Sequence, residues 1–300
     1  MINRRSFLIS SVMGALAGSS MRGGLVNPGS CNAQTLCGTI RKSLYYGMIK
    51  GDMSIAEKFN IAKRAGFEGV EVPTVEEPEK VSEMKEAVQN VGVRIHSIMN
   101  QAHWKYPFSS DDPEVIETGM KGMETSLRNA KEYGADAVLL VPAVVNAETS
   151  YKDAYTRSQS NIKKLLPLAK ELNIVIAIEN VWNKFLLSPL EFARYIDEID
   201  SPYLQAYFDC GNIALYGYPH DWIRTLGKRI VKVHIKGFNV NDKQFTNLGD
   251  GTIDWPEIRR AFSDINYNGY MSAELKGGHE TYLRDVSRRM DSIIAGEVIQ

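Results

Sequence analysis

From residue 42 onward, short apolar runs alternate with longer amphipathic segments. The runs are SLYYGMI (43–49), FEGVEV (67–72), VRIHSIM (93–99), AVLLVP (137–142), IVIAIE (174–179), LQAYFD (204–209), IVKVHIKG (230–237) and MSAEL (271–275). Helices are predicted over 54–65, 79–90, 113–133, 151–171, 188–199, 220–227, 255–264 and 280–294, several opening on Ser-Pro or Asp-Pro and several closing on Gly. Nearly uniformly apolar strands separated by helices imply a parallel sheet covered on both faces. Eight such units in about 260 residues fit a closed (β/α)8 TIM barrel, an α/β fold occupying 42–300 as one domain. A doubly wound open sheet is the alternative, but no Gly-x-Gly-x-x-Gly follows the first run.

Four of these runs end on groups that do not belong in an apolar strand. They are Glu179, Asp209, His234 and Glu274, from the fifth, sixth, seventh and eighth strands. In a closed barrel these strands are neighbours, and catalytic groups gather where strands end. Three carboxylates and an imidazole brought together repel unless a cation holds them. The O/N donor set suits one divalent ion, Mn²⁺, Mg²⁺, Co²⁺ or Zn²⁺. Taken singly, Asp209 reads equally well as a helix cap and His234 as a core histidine; it is their succession that carries the metal expectation.

Composition adds bounds. Forty-four per cent hydrophobic and 24% charged residues describe an ordinary globular chain. A net charge of −1 without basic runs disfavours nucleic acid as a partner. The N-terminal stretch differs from the rest. Arg4-Arg5 precede Phe7-Leu8 and a short apolar, small-residue stretch, with no acid before Asp52. That order resembles a twin-arginine export signal, expected over residues 1–33, and implies a periplasmic or otherwise exported protein. The apolar run is too short to span a bilayer, so no integral membrane protein is expected. Cys31 is a poor lipid-attachment site, because Pro28 stands where an aliphatic residue is needed. Loss of 1–33 would remove three arginines and no acid, leaving a charge of −4. Cys37 and Cys210 then remain, with no disulfide framework.

The segments GFEGVEV, IAIENVWN, YFDCGN, KVHIKGF, LGDGTIDW and MSAEL, in this order over 42–295, resemble the sugar phosphate isomerase/epimerase family within the xylose isomerase-like TIM barrels. The resemblance implies a metal site at Glu179, Asp209, His234 and Glu274, with Mn²⁺ the first choice. It also implies that Glu179 and Glu274 form an acid/base pair. The expected activity is a divalent-metal-dependent sugar isomerisation or epimerisation, by proton abstraction through a metal-stabilised enediolate. A carbonyl and adjacent hydroxyl chelated to a cation acidify the intervening C–H, in agreement with that chemistry.

Two relatives fit poorly. AP endonucleases need further histidines, and this chain has Asn212 after the sixth-strand Asp and no histidine within 237–256. Tagatose-type epimerases carry substrate-binding groups where Asn212, Phe185 and Val240 stand here. The substrate shell is therefore expected from His96, Trp104, Asn180, Trp182, Asn212 and Lys236, around a small-molecule sugar or glycoside. His103, His220 and His279 are expected to be solvated. A lyase or hydratase on 3-keto glycosides would use the same metal site. A non-catalytic sugar-binding barrel would be expected to have lost a glutamate. Oligomerisation is left open.

Overall fold

The computed structural model describes residues 39–299; the expected export signal over 1–33, with Cys31, lies outside them. The chain runs β1 (Arg41–Tyr45), α1 (Ile55–Arg64), β2 (Gly69–Pro73), α2 (Pro78–Val91), β3 (Arg94–Met99), α3 (Pro113–Tyr133), β4 (Ala137–Leu140), α4 (Tyr151–Leu172), β5 (Val175–Glu179), α5 (Pro189–Asp197), β6 (Leu204–Asp209), α6 (Cys210–Ile213) and α7 (Pro219–Leu226). It continues through β7 (Ile230–Ile235), β8 (Gly237–Asn239), β9 (Gln244–Thr246), α8 (Trp255–Asp264), β10 (Tyr270–Ala273) and α9 (Glu280–Ala295). Strands β1 to β7 and β10 close into one parallel barrel, with β10 pairing β7 on one side and β1 on the other. This is the TIM barrel expected.

Local chemistry sets the helix boundaries. The Ser54 hydroxyl accepts from Glu57 N at 3.2 Å, Asp112 from Glu114 N at 2.9 Å and Ser150 from Asp153 N at 3.1 Å. Each satisfies an amide that the first turn leaves unpaired. α2, α3 and α9 stop at Gly92, Gly134 and Gly296, all left-handed. The main core lies between barrel and helices. A smaller apolar group, built around Leu139, Val141, Ala177 and Tyr207, fills the barrel interior beside β4, β5 and β6.

Two features depart from the expected elements. The seventh run does not continue through Gly237 as one strand. It breaks after Ile235, and β8 and β9 form a separate antiparallel hairpin on the loop that follows β7. The Gly-rich segment before Trp255 secures that hairpin. A Cβ on Gly251 would lie 2.2 Å from the Phe238 carbonyl oxygen, and Thr252 N donates to the same oxygen at 2.8 Å. Strand β3 ends at Met99 as its run does, but its register against β2 shifts between Val70 and Glu71. That bulge turns His96 toward Ser43 of β1 and Ser97 toward Glu71 of β2.

Candidate metal centre

Glu179 and Asp209 are the last residues of β5 and β6, His234 is next to last in β7, and Glu274 follows β10 directly. Glu274 N still donates to Ile235 O at 3.0 Å, so the ladder holds it in place. One ligand atom from each of the four lies within 4.8 Å of the others. Asp209 and His234 are fully buried and Glu179 almost so, while the Glu274 side chain keeps 27% exposure toward the loops.

Two hydrogen-bonding systems hold these groups. His234 Nδ1 faces the carboxylates, 2.9 Å from Glu179 Oε1 and 3.6 Å from Glu274 Oε2. Its Nε2 lies 2.6 Å from Glu71 Oε2, on fully buried Glu71 of β2. Glu71 Oε1 also accepts from Ser97 Oγ at 3.0 Å. The carboxylate on the far side of the ring fixes the imidazole and leaves Nδ1 aimed at the cluster, the usual arrangement behind a metal-binding histidine. Asp209 divides its oxygens. Oδ1 accepts from Asn212 N at 2.8 Å, capping α6, while Oδ2 faces the cluster 2.9 Å from Lys236 Nζ. That contact has ion-pair distance without hydrogen-bond alignment. Asp209 thus caps the helix with one oxygen and leaves the other turned to the cluster.

Lys236 lies between Asp209 and Glu274, paired with both. Gly211 gives it room, since a Cβ there would approach Lys236 Cγ to 2.3 Å. Burial depresses the ammonium pKa, but Asp209, Glu274 and Glu179 more than restore it, so Lys236 stays charged. The two glutamates diverge. Burial pushes Glu179 up to about 7, against the pull of His234. Burial also acts on Glu274, but Lys236 and His234 outweigh it and bring that carboxyl down to about 2. Burial raises Asp209 despite Lys236. His234 is raised well above the ordinary imidazole value because Glu71, Glu274 and Glu179 together exceed its burial cost.

A cavity of about 230 Å³ opens over the cluster, lined by Glu179, Glu274, Lys236, Asn212, Trp104, Trp182, His103 and Phe245 among others. The expected substrate residues divide on this point. Trp104, Trp182, Asn212 and Lys236 reach the cavity. Trp182 is stacked on Phe245 of the hairpin, with centroids 4.8 Å apart, and its Nε1 donates to Asn212 O at 2.9 Å. Asn180 does not reach it. Its side chain accepts from Asp209 N and donates to Asp209 O, at 2.9 and 2.8 Å, tying β5 to β6. Asn212 donates to Asn180 O at 3.0 Å, so much of its polar capacity is spent on backbone.

His96 is a correction. It is fully buried in mid-strand, stacked on Tyr270, with Nε2 2.7 Å from Ser43 Oγ and 3.1 Å from Ser272 Oγ. The β3 bulge, unreadable in the sequence, sets it below the strand ends. His103 is a second correction. It is buried rather than solvated, its Nδ1 accepts from Val141 N at 3.3 Å, and burial brings its pKa down to about 4. Glu71 and Phe245 had not been singled out. A carboxylate between Val70 and Val72 was the available signal for the first.

The donor set fits a divalent cation: three carboxylates and an imidazole, with a buried Asp209 oxygen turned inward and His234 Nδ1 held in place from behind. Comparison with known proteins places these observations in a wider set. The description of the xylose isomerase-like TIM barrel family matches residues 59–293. L-ribulose-5-phosphate 3-epimerase UlaE of Escherichia coli O157:H7 is 24% identical over 225 residues, covering 71% of this chain and 78% of the relative. Among solved structures, a D-tagatose 3-epimerase-like protein superposes with a TM-score of 0.74 at 17% identity, over 85% of this chain and 98% of that one. The 3-keto-D-glucoside 4-epimerase YcjR of E. coli gives 0.73 at 17%, over 86% and 100%.

Proposed function

We infer the activity from two premises: the chain belongs to the xylose isomerase-like TIM barrel family, and two of its four clustered strand-end groups, Glu179 and Glu274, line a cavity of sugar-ring dimensions. It is a carbohydrate isomerase or epimerase, working on a sugar that carries a carbonyl beside a hydroxyl. Glu179, Asp209, His234 and Glu274 would hold one divalent cation, Mn²⁺ for preference, which would polarise the carbonyl and stabilise the enediolate charge.

The observation that carries the reading is the placement of the two glutamates, which reach one cavity from β5 and from the end of β10. One carboxylate would accept the proton α to the carbonyl and the other return one, and in the reverse direction the two exchange roles. Lys236, paired with Asp209 and Glu274, would offset part of the negative charge there. Trp182 and Phe245 shield one side from water. The test is incorporation of solvent deuterium at carbon into a panel of ketoses and 3-keto glycosides with Mn²⁺ present. Failure to label any of them sinks the proton-transfer reading.

A lyase or hydratase on 3-keto glycosides is the second reading, favoured by the likeness to a solved 3-keto-D-glucoside 4-epimerase. It would begin with the same proton abstraction and show a released alcohol by NMR. Export completes the proposal. Among the described residues no helix is long and apolar enough to cross a membrane. Arg4-Arg5 followed by Phe7-Leu8 supports translocation of the folded protein by the twin-arginine route. Replacing Arg4-Arg5 with Lys-Lys should empty the periplasmic fraction, and an unchanged fraction would refute that assignment.

A further inference from the structure

We propose that this centre serves a two-ring substrate, a glycoside whose reacting sugar sits over Glu179 and whose second ring fills a neighbouring cavity. The proposal rests on the carbohydrate reading above and adds the substrate class. The second cavity, about 440 Å³, adjoins the first and shares Lys236, Phe245 and Glu274 with it. It is the larger of the two, and a free monosaccharide held over the glutamates would leave it unused.

Its chemistry suits a ring. Phe245, Leu275 and Tyr282 supply apolar surface, and Thr246 and Asn247 supply hydrogen-bonding edges. Such a mixture fits the flat, amphipathic faces of sugar and aryl groups. A phosphate is less well served. The Glu274 carboxylate is on the wall, and Lys236 is committed to Asp209 and Glu274. Lys276 lines the cavity only from its exposed rim, and the Gly278 amide beyond it donates to Met48 O at 2.9 Å. The first turn of α9 opens with Glu280, paired to Arg64 at 2.8 Å.

Calorimetric titration of the Mn²⁺-loaded protein tests this without relying on turnover. Probes are phenyl β-D-glucopyranoside, methyl β-D-glucopyranoside and D-glucose 6-phosphate. The phenyl glycoside should bind at least tenfold more tightly than the methyl glycoside, and Tyr282→Ala should cut that ratio to below threefold. Tyr282→Leu substitutes if circular dichroism shows the alanine variant unfolded. Equal affinities, a ratio indifferent to Tyr282, absence of saturable binding, or tightest binding by the phosphate would each overturn the proposal. Preferential phenyl binding without deuterium exchange into any sugar would keep the second subsite and reject the proton-transfer reading instead.

Discussion

Glu71 offers the sharpest test of how the centre is built. It lines neither the cavity over the cluster nor the one beside it, yet its carboxylate lies 2.6 Å from His234 Nε2 and is fully buried with it. Glu71→Gln keeps the volume and one acceptor oxygen for His234, and its NH2 can donate to the Ser97 hydroxyl. The negative charge opposite the imidazole is lost. Changes of this kind behind a metal ligand weaken metal binding by about 10–100-fold, equivalent to about 1.4–2.7 kcal/mol. Ser97→Ala removes only a neutral donor to Glu71 and should cost about 1 kcal/mol, a few-fold in affinity. The assay is competition for Mn²⁺ against a fluorescent chelator at pH 7.5, with melting curves of the metal-free proteins in parallel. A merely structural role would lower the metal-free melting temperature and leave affinity intact. Metal affinity within twofold of wild type in a folded Glu71→Gln protein would refute the account of His234.

Glu179→Gln and Glu274→Gln should each abolish turnover and deuterium exchange while circular dichroism stays native; near wild-type turnover in either removes it from the acid/base pair. In the metal-free protein, folding favours protonated Glu179, whose pKa stands near 7 against 4.5 when exposed. Its stabilisation is complete below pH 4.5 and lost as pH rises through 7, worth about 3 kcal/mol. His234, with its raised value, acts in the same direction. EDTA-treated protein should therefore unfold at lower denaturant at pH 8 than at pH 5, and Glu179→Gln should flatten that difference; a rise in stability toward pH 8 contradicts it. Matched phosphorylated and unphosphorylated ketoses should show no preference for the ester, because the Gly278 amide and the α9 start are already occupied. A preference above about tenfold in kcat/KM, about 1.4 kcal/mol, would require a phosphate site.

Much of this was legible in the residues. Strand–helix alternation with Ser, Asp and Gly at the boundaries gave α3 and α8 to the residue, because caps act locally. Glu179, Asp209, His234 and Glu274 stood out because ionisable groups end apolar runs. What escaped depended on register and tertiary contact. His96 looked like a substrate group, but it sits in mid-strand and the bulge that orients it lies in the pairing with β2. Asn180 looked like a substrate group, and only the β5–β6 geometry shows its amide spent on the Asp209 backbone. The hairpin was hidden within a strand because its partner strand, Gln244–Thr246, is short and exposed. Phe245 has meaning only once that hairpin folds over Trp182.

The pairing of the first strand with the last gives the centre a place in time as well as in space. Arg41 pairs with Tyr270, so the barrel cannot close until nearly the whole chain has left the ribosome. At about 5–20 residues per second, synthesis from one to the other takes roughly 10–45 s. Throughout that interval β1 has a bare edge and Glu274 does not yet exist. No product that ends before Glu274 can bring the four strand-end groups together. Metal capture by these four groups would then be confined to molecules synthesised past Glu274, and would mark a closed barrel.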